Sequence, residues 1–256
     1  MYLNMYKISL ITGDGIGPEL SESAISVLNT ISDKFDFKFD LTKLSAGDKA
    51  LEQTGKALPD DTVETIKRSD VCLKAPVGES AADVIVVLRR ILDLYANIRP
   101  AKSCTDVSKE YPDIEFEQMY VDACAMNLIR QPEQFDVVVT TNLFGDILSD
   151  ESSQVVGGLG MAPAANIGDN FALFEPVHGA AFDIAGQNIA NPSSFLLSIK
   201  MMFDWLGAKH NDSKCFEIGT KLESTIFDLV KSGVKTKDIG GNATTVEFTK
   251  HITDNL

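Results

Sequence analysis

Apolar positions fall into a strand-then-helix rhythm over the first hundred residues. An apolar run at Ile8–Thr12 predicts a short buried strand, the Gly13–Pro18 turn ends it, and Glu19–Ser32 carries apolar residues at helical spacing. Phe35–Leu41 alternates as a strand does. Pro59 opens a helix whose first turn holds Asp60, Asp61 and Glu64, acids suited to the positive end of a helix. Val71–Lys74 predicts a further strand and Ala82–Leu92 a further helix. This order is that of an α/β fold with a largely parallel sheet.

The middle of the chain is less regular. Arg99-Pro100 leads into Cys104–Glu110, at best a short polar helix, and Ile114–Tyr120 reads as a strand. Asp136–Thr140 predicts a buried strand, followed by a helix over Phe144–Val156 and a glycine-rich turn at Gly157–Gly160. Beyond Pro192 the pattern is helical: Ser194–Leu206, Cys215–Lys231, and Thr245 onward, with Asn242–Thr244 placed to cap the last helix.

Composition narrows the function. A chain of 256 residues with 44% hydrophobic content builds one large domain or two small ones. Its formal net charge of -14 repels phosphates and anionic membrane surfaces, which argues against nucleic-acid and membrane partners. No run of about 18 apolar residues is present, and no basic and apolar leader precedes the first strand. Cys72, Cys104, Cys124 and Cys215 form no CxxC pair, so free thiols in a reducing, cytoplasmic compartment are expected. An acidic chain that handles an anionic substrate must concentrate arginines locally or use a metal.

Several segments meet that requirement. Asp146 and Asp150 are four residues apart, so a helix turns both carboxylates one way. Hard oxygen ligands in that arrangement suit Mg²⁺ or Mn²⁺; a solvated acidic helix start has the same pattern. Asp122 is a lone acid in apolar surroundings, a third ligand or a helix cap. Arg89 and Arg99 lie in an unusually basic stretch, and guanidinium groups clamp carboxylates bidentately, although ion pairs with Asp93 and its neighbours would also use them. Glu175–Pro192 is dense in small residues that let a backbone approach a cofactor, and Asp183 within it is placed to bind ribose hydroxyls and to repel a 2′-phosphate. The Gly13–Pro18 turn imitates a dinucleotide fingerprint, but Pro18 stands where the last glycine belongs, so it reads as a tight turn near the cleft.

Taken together, GDGIGPE at 13–19, LRRILDLYANIRPAKS at 88–103, VDACAMNLI at 121–129, TTNLFGDILSDE at 140–151, GGLGMAPAANIGD at 157–169, ALFEPVHGAAFDIAGQNIANP at 172–192 and DIGGNATT at 238–245 resemble the isocitrate/3-isopropylmalate dehydrogenase family. The resemblance implies a two-domain α/β fold, with a discontinuous NAD-binding domain at 1–99 and 160–256 and a truncated small domain at 100–159. It implies that Arg89 and Arg99 hold substrate carboxylates, and that Asp122, Asp146 and Asp150 hold Mg²⁺ or Mn²⁺, with Asp122 lent by the second subunit of a homodimer. It implies NAD contacts from Glu175, His178, Gly179, Ala180, Ala181, Asp183, Ile184 and Asn191, the Asp183-Ile184 pair being similar to the NAD-dependent branch. The implied reaction is oxidation and decarboxylation of a 2-hydroxy acid.

The resemblance breaks at one point. The family places a tyrosine after an R-E-N-T-E stretch and a lysine in a K-A-N stretch, as proton donor and base, and neither stretch is present. Between Ser103 and Cys104 a segment on the order of a quarter of a full-length chain is absent, far beyond ordinary loop variation. The third carboxylate-binding arginine and the arm that clasps family dimers go with it. No catalytic proton carrier is therefore assigned, Lys102 and Tyr120 being poor substitutes, and weak or absent turnover is expected. Ile85 and Val86 form an apolar wall suited to an isopropyl group, which favours 3-isopropylmalate over isocitrate or homoisocitrate, though plain helix packing would use them equally well. An inactive NAD- or metal-binding remnant is the alternative of another class.

Overall fold

A computed structural model describes residues 5–99, 117–155 and 157–256. The chain begins with strand β1 (Met5–Ile11), helix α1 (Gly17–Phe35), strand β2 (Lys38–Leu44), helices α2 (Asp48–Thr54) and α3 (Asp60–Ile66), strand β3 (Val71–Lys74), helix α4 (Ala81–Ile91) and strand β4 (Ala96–Ile98). Helices α5 (Val121–Arg130) and α6 (Asn142–Val155) follow. Strands β5 (Pro163–Ile167) and β6 (Ala172–Pro176) return to the sheet, and helices α7 (Ser193–His210), α8 (Ser213–Ser232) and α9 (Thr245–Asn255) close the described chain.

The six strands lie in the order β2-β1-β3-β6-β5-β4. Pairings β1/β2, β1/β3 and β3/β6 are parallel, whereas β5/β6 and β4/β5 are antiparallel. The expectation of a largely parallel sheet is thus corrected to a mixed one. The reason is local: only Gly168–Phe171 links β5 to β6, closed by the Gly168 N–H donating to the Phe171 carbonyl at 3.0 Å, and so short a link permits only a hairpin.

Period-two alternation sends the strands' side chains to two separate layers. Ile8, Leu10, Val71, Leu73, Ala172 and Phe174 join one core with α1, α7, α8 and α9. Ile11, Cys72 and Leu173 point the other way, onto Ile66 of α3 and onto Val84 and Leu88 of α4. A third, small cluster of Cys124, Leu128 and Leu148 joins α5 to α6. Cys72, Cys124 and Cys215 are free and buried. Among the described residues no helix is long and apolar enough to cross a membrane.

The strand expected over Asp136–Thr140 does not form as expected. Val137, Val138 and Val139 lie outside any strand and are 50%, 40% and 77% exposed. An apolar run becomes a strand only where a neighbour pairs with it, and no described residue pairs with Val137–Thr140. The strand expected at Ile114–Tyr120 falls partly outside the described residues, and Tyr120, at its end, caps α5 with 86% exposure. The Ser103–Cys104 junction, Lys102 and the possible helix at Cys104–Glu110 also lie outside them.

Candidate active site

The turns after β1 and β3 and the loop after β6 leave the sheet at one edge, the C-terminal ends of three parallel strands, where α/β proteins form their sites. Carboxylates fasten these turns in series. Asp14 is 6% exposed, and its side chain accepts from the backbone N–H groups of Asp48 (2.9 Å), Lys49 (3.2 Å) and Gly78 (3.1 Å). Asp48 in turn accepts from the N–H groups of Glu79 and Ser80 and from the Ser80 hydroxyl, at 3.0, 2.8 and 2.6 Å, just before α4. These bonds, the Ser80 hydroxyl foremost, hold the Asp48 carboxyl below its ordinary range. Gly13 and Gly15 both have positive φ, and a Cβ on either would strike the carbonyl oxygen of Pro76 or of Ala180. The turn is therefore a knot between β1, the β3 exit and the loop at Ala180, whose carbonyl accepts from the Ile16 N–H at 2.8 Å. The N–H groups of Asp14, Ile16 and Gly17 are engaged within this knot, which leaves the turn poorly suited to cradle a phosphate.

Helix α4 carries Arg89 toward the antiparallel half of the sheet. Its Nε donates to Asn166 Oδ1 at 2.6 Å, and its guanidinium lies 3.8 Å from Glu175 Oε1. Glu175 Oε1 accepts from Asn166 Nδ2 at 2.8 Å, and Oε2 pairs with Lys74 Nζ at 2.8 Å. Burial alone would push the Glu175 carboxyl up, but Lys74, Asn166 and Arg89 more than offset this and hold it below its ordinary value. The Glu175 carboxylate is thus committed to the protein. Three residues before Arg89, Val86 is 44% exposed, while Ile85 packs into the core beneath α4.

Strand β4 brings Arg99 to the acidic helix. Its guanidinium lies 2.9 Å from Asp146 Oδ1 and 3.9 Å from Asp150 Oδ1, and donates to the Ser149 hydroxyl at 2.9 Å. The four-residue spacing on α6 does converge two carboxylates, here upon one positive charge. Asp122 does not join them; it is exposed on the first turn of α5, accepting from the Ala123 N–H at 2.9 Å. Among the described residues no trio of His, Cys, Asp or Glu could hold a metal ion.

The loop after β6 is open on its outer side. A Cβ on Gly179 or Gly186 would meet nothing within 4 Å. Asp183 is exposed, its carboxylate making no hydrogen bond or ion pair among the described residues. Ala180 is buried against the Gly15 turn, Ala181 has φ 41°, and Ile184 packs on the main core. Burial holds the His178 imidazole below its ordinary pKa, so it is neutral near pH 7. Asn191 is buried; its amide donates to Asp238 at 3.0 Å, and its oxygen accepts from the Ser193 N–H at 2.9 Å, starting α7.

A model of the isocitrate/isopropylmalate dehydrogenase family matches residues 7–109 and 102–256. The chain belongs to that family. Its two matched stretches overlap across the Ser103–Cys104 junction, as a family member with an internal gap there would. The 3-isopropylmalate dehydrogenase of Saccharolobus solfataricus is 38% identical over 321 residues, covering 93% of this chain and 96% of that protein. That of Sulfurisphaera tokodaii is 38% identical over 334 residues, covering 98% and 99%. The latter alignment exceeds the 256-residue chain, so at least 78 of its positions are filled by the relative alone. The crystal structure of isocitrate dehydrogenase from Methylococcus capsulatus is 29% identical, with a TM-score of 0.88 over 98% of this chain and 99% of that one. Lys74 and Asn166, the partners of Glu175, were missed from the sequence: a strand-end lysine and an asparagine in an apolar strand carry no local signal that they meet.

Proposed function

We propose that the chain keeps the binding half of an NAD-dependent, metal-assisted decarboxylating dehydrogenase acting on 3-isopropylmalate, and has lost most of the proton-transfer half. The observation that carries this is the pairing of Arg99 with Asp146 and Asp150, which brings a carboxylate clamp and two hard ligands to one place. The carboxylates fit a divalent cation, since they already converge on a positive group; Asp122 of a second copy would supply the third ligand. The outer side of the Gly179–Gly186 loop fits a dinucleotide, with the unpaired Asp183 carboxylate available to ribose hydroxyls and unfavourable to a 2′-phosphate. His178, Ala180, Ala181, Ile184 and Asn191 shape that loop.

NAD bound there supplies a hydride acceptor, and the cation supplies Lewis-acid polarisation of the substrate hydroxyl. The chain's own residues do the rest of the binding. Arg89 and Arg99 take the two carboxylates, and Val86, with Ile85 behind it, faces the apolar substituent. No base is assigned among them, because the R-E-N-T-E and K-A-N stretches that carry the family's proton donor and base are absent from the sequence. Similarity to archaeal 3-isopropylmalate dehydrogenases supports the choice of substrate, with isocitrate or homoisocitrate as the alternative. A homodimer is supported by Met126, Ile129, Leu143 and Ile147, large apolar side chains 56–66% exposed on α5 and α6. The division into a large domain at 1–99 and 160–256 and a reduced one at 100–159 is supported by the separate α5–α6 cluster.

Calorimetric titration with NAD, with and without Mn²⁺ and 3-isopropylmalate, tests the proposal. Binding of all three, with metal strengthening the hydroxy acid, is expected. Failure of NAD and the acid to bind would leave a structural remnant in its place.

A further inference from the structure

Resting on the proposed role of Arg89 as a substrate clamp, we infer that Lys74 and Asn166 are positioning residues that keep Arg89 available to an incoming carboxylate by occupying Glu175. Glu175 is the only carboxylate that the structure places beside Arg89 among the described residues, and a carboxylate with a side chain only 12% exposed needs a counter-charge. Both of its oxygens are already served. Lys74, itself 4% exposed, takes Oε2 at 2.8 Å, and the Asn166 amide takes Oε1 at 2.8 Å. Arg89 is left 3.8 Å away, outside hydrogen-bond range, and is steered by one neutral acceptor, Asn166 Oδ1 at 2.6 Å from Nε. Its terminal nitrogens therefore make no hydrogen bond to a described residue, and the long ion pair to Glu175 leaves their donors open to a bidentate carboxylate.

The arrangement depends on Lys74. Without that ammonium Glu175 loses its counter-ion, and the nearest cation is the Arg89 guanidinium. A shift of about one ångström converts 3.8 Å into a direct ion pair. Arg89 would then be held by its own protein, and affinity for the dicarboxylate would fall although Lys74 never touches it. Removing both charges should cancel the effect, because Glu175→Gln leaves a neutral amide that makes no demand on Arg89.

The test is binding of 3-isopropylmalate by calorimetry, with the arginine Nε–H resonances of ¹⁵N-labelled protein as a ligand-free readout. Lys74→Met is expected to weaken binding by about tenfold and to shift the Arg89 Nε–H signal, which Arg89→Lys assigns. The double variant Lys74→Met/Glu175→Gln is expected to recover to within about threefold of the unmodified chain. Should Lys74→Met not fold, Asn166→Ser carries the same test: it removes the 2.6 Å acceptor and should abolish solvent protection of that signal. Unchanged binding and signal in Lys74→Met, or losses in the double variant that simply add, would overturn the inference. If Arg89→Met leaves dicarboxylate binding unchanged, the substrate reading fails by itself, while the Nε–H signal still decides the positioning claim.

Discussion

Arg99 and a divalent cation compete for the same two carboxylates, so replacing Arg99 with glutamine should tighten metal binding while weakening the hydroxy acid. The guanidinium lies 2.9 Å from Asp146 and 3.9 Å from Asp150, with side-chain exposures of 23%, 48% and 59% respectively. Ion pairs this exposed are worth about 0.2–1 kcal/mol each after screening. Breaking both to admit a cation costs about 1 kcal/mol, equivalent to roughly fivefold in affinity. Mn²⁺ titration by calorimetry at low ionic strength should therefore give about fivefold tighter binding to Arg99→Gln. The gain should shrink in about 0.5 M salt, where exposed charges are screened within a few ångströms. The same variant should lose about tenfold in affinity for 3-isopropylmalate measured with saturating Mn²⁺, as one charge-assisted clamp is removed. Equal or weaker Mn²⁺ binding in Arg99→Gln would refute the competition and show the arginine to be support for the site.

Asp14→Ala removes the acceptor of three backbone N–H groups, and partial rehydration of those donors leaves a net loss of about 3 kcal/mol; urea unfolding should show a lower midpoint with an unchanged slope. Glu175 gives the acid limb of the stability profile: its folded pKa lies below the ordinary glutamate value of 4.5, so its contribution is complete above that pH and is lost as pH falls through the lower folded value. Unfolding midpoints measured from about pH 6 down to about pH 3 should therefore drop more steeply for the unmodified chain than for Lys74→Met/Glu175→Gln.

The outer α/β frame was legible because its signals are local. Gly13–Pro18, Pro59 and the capping residues at Asn242–Thr244 punctuate the chain where strands and helices in fact change, Thr244 being the N-cap of the last helix. The apolar run at Val71–Lys74 coincides with β3. Strands β5 and β6 were not foreseen, since Pro163–Ile167 and Ala172–Pro176 carry proline, alanine and a buried charge where β-branched residues would announce a strand. Val137–Val139 erred the other way: the composition is that of a strand, but pairing is a tertiary property. In the site, the i, i+4 spacing of Asp146 and Asp150 correctly foretold convergence, while the identity of the cation facing them, Arg99, was set by strand β4 and lay beyond any local rule. Glu175 illustrates the same limit: its partners Lys74 and Asn166 are 101 and 9 residues away in sequence, so its ion pair and amide contact had no local signal.

The division between retained grip and lost proton chemistry is tested most directly by NADH formation from the purified chain with NAD⁺, Mn²⁺ and 3-isopropylmalate. Loss of a general base alone removes about 10²–10⁴-fold in rate, so turnover should lie at least about 100-fold below the roughly 10 s⁻¹ of an ordinary enzyme. The same preparation should still bind all three components by calorimetry. Turnover of about 1–10 s⁻¹ would contradict it, and would mean that this shortened chain has rebuilt its proton relay from other residues.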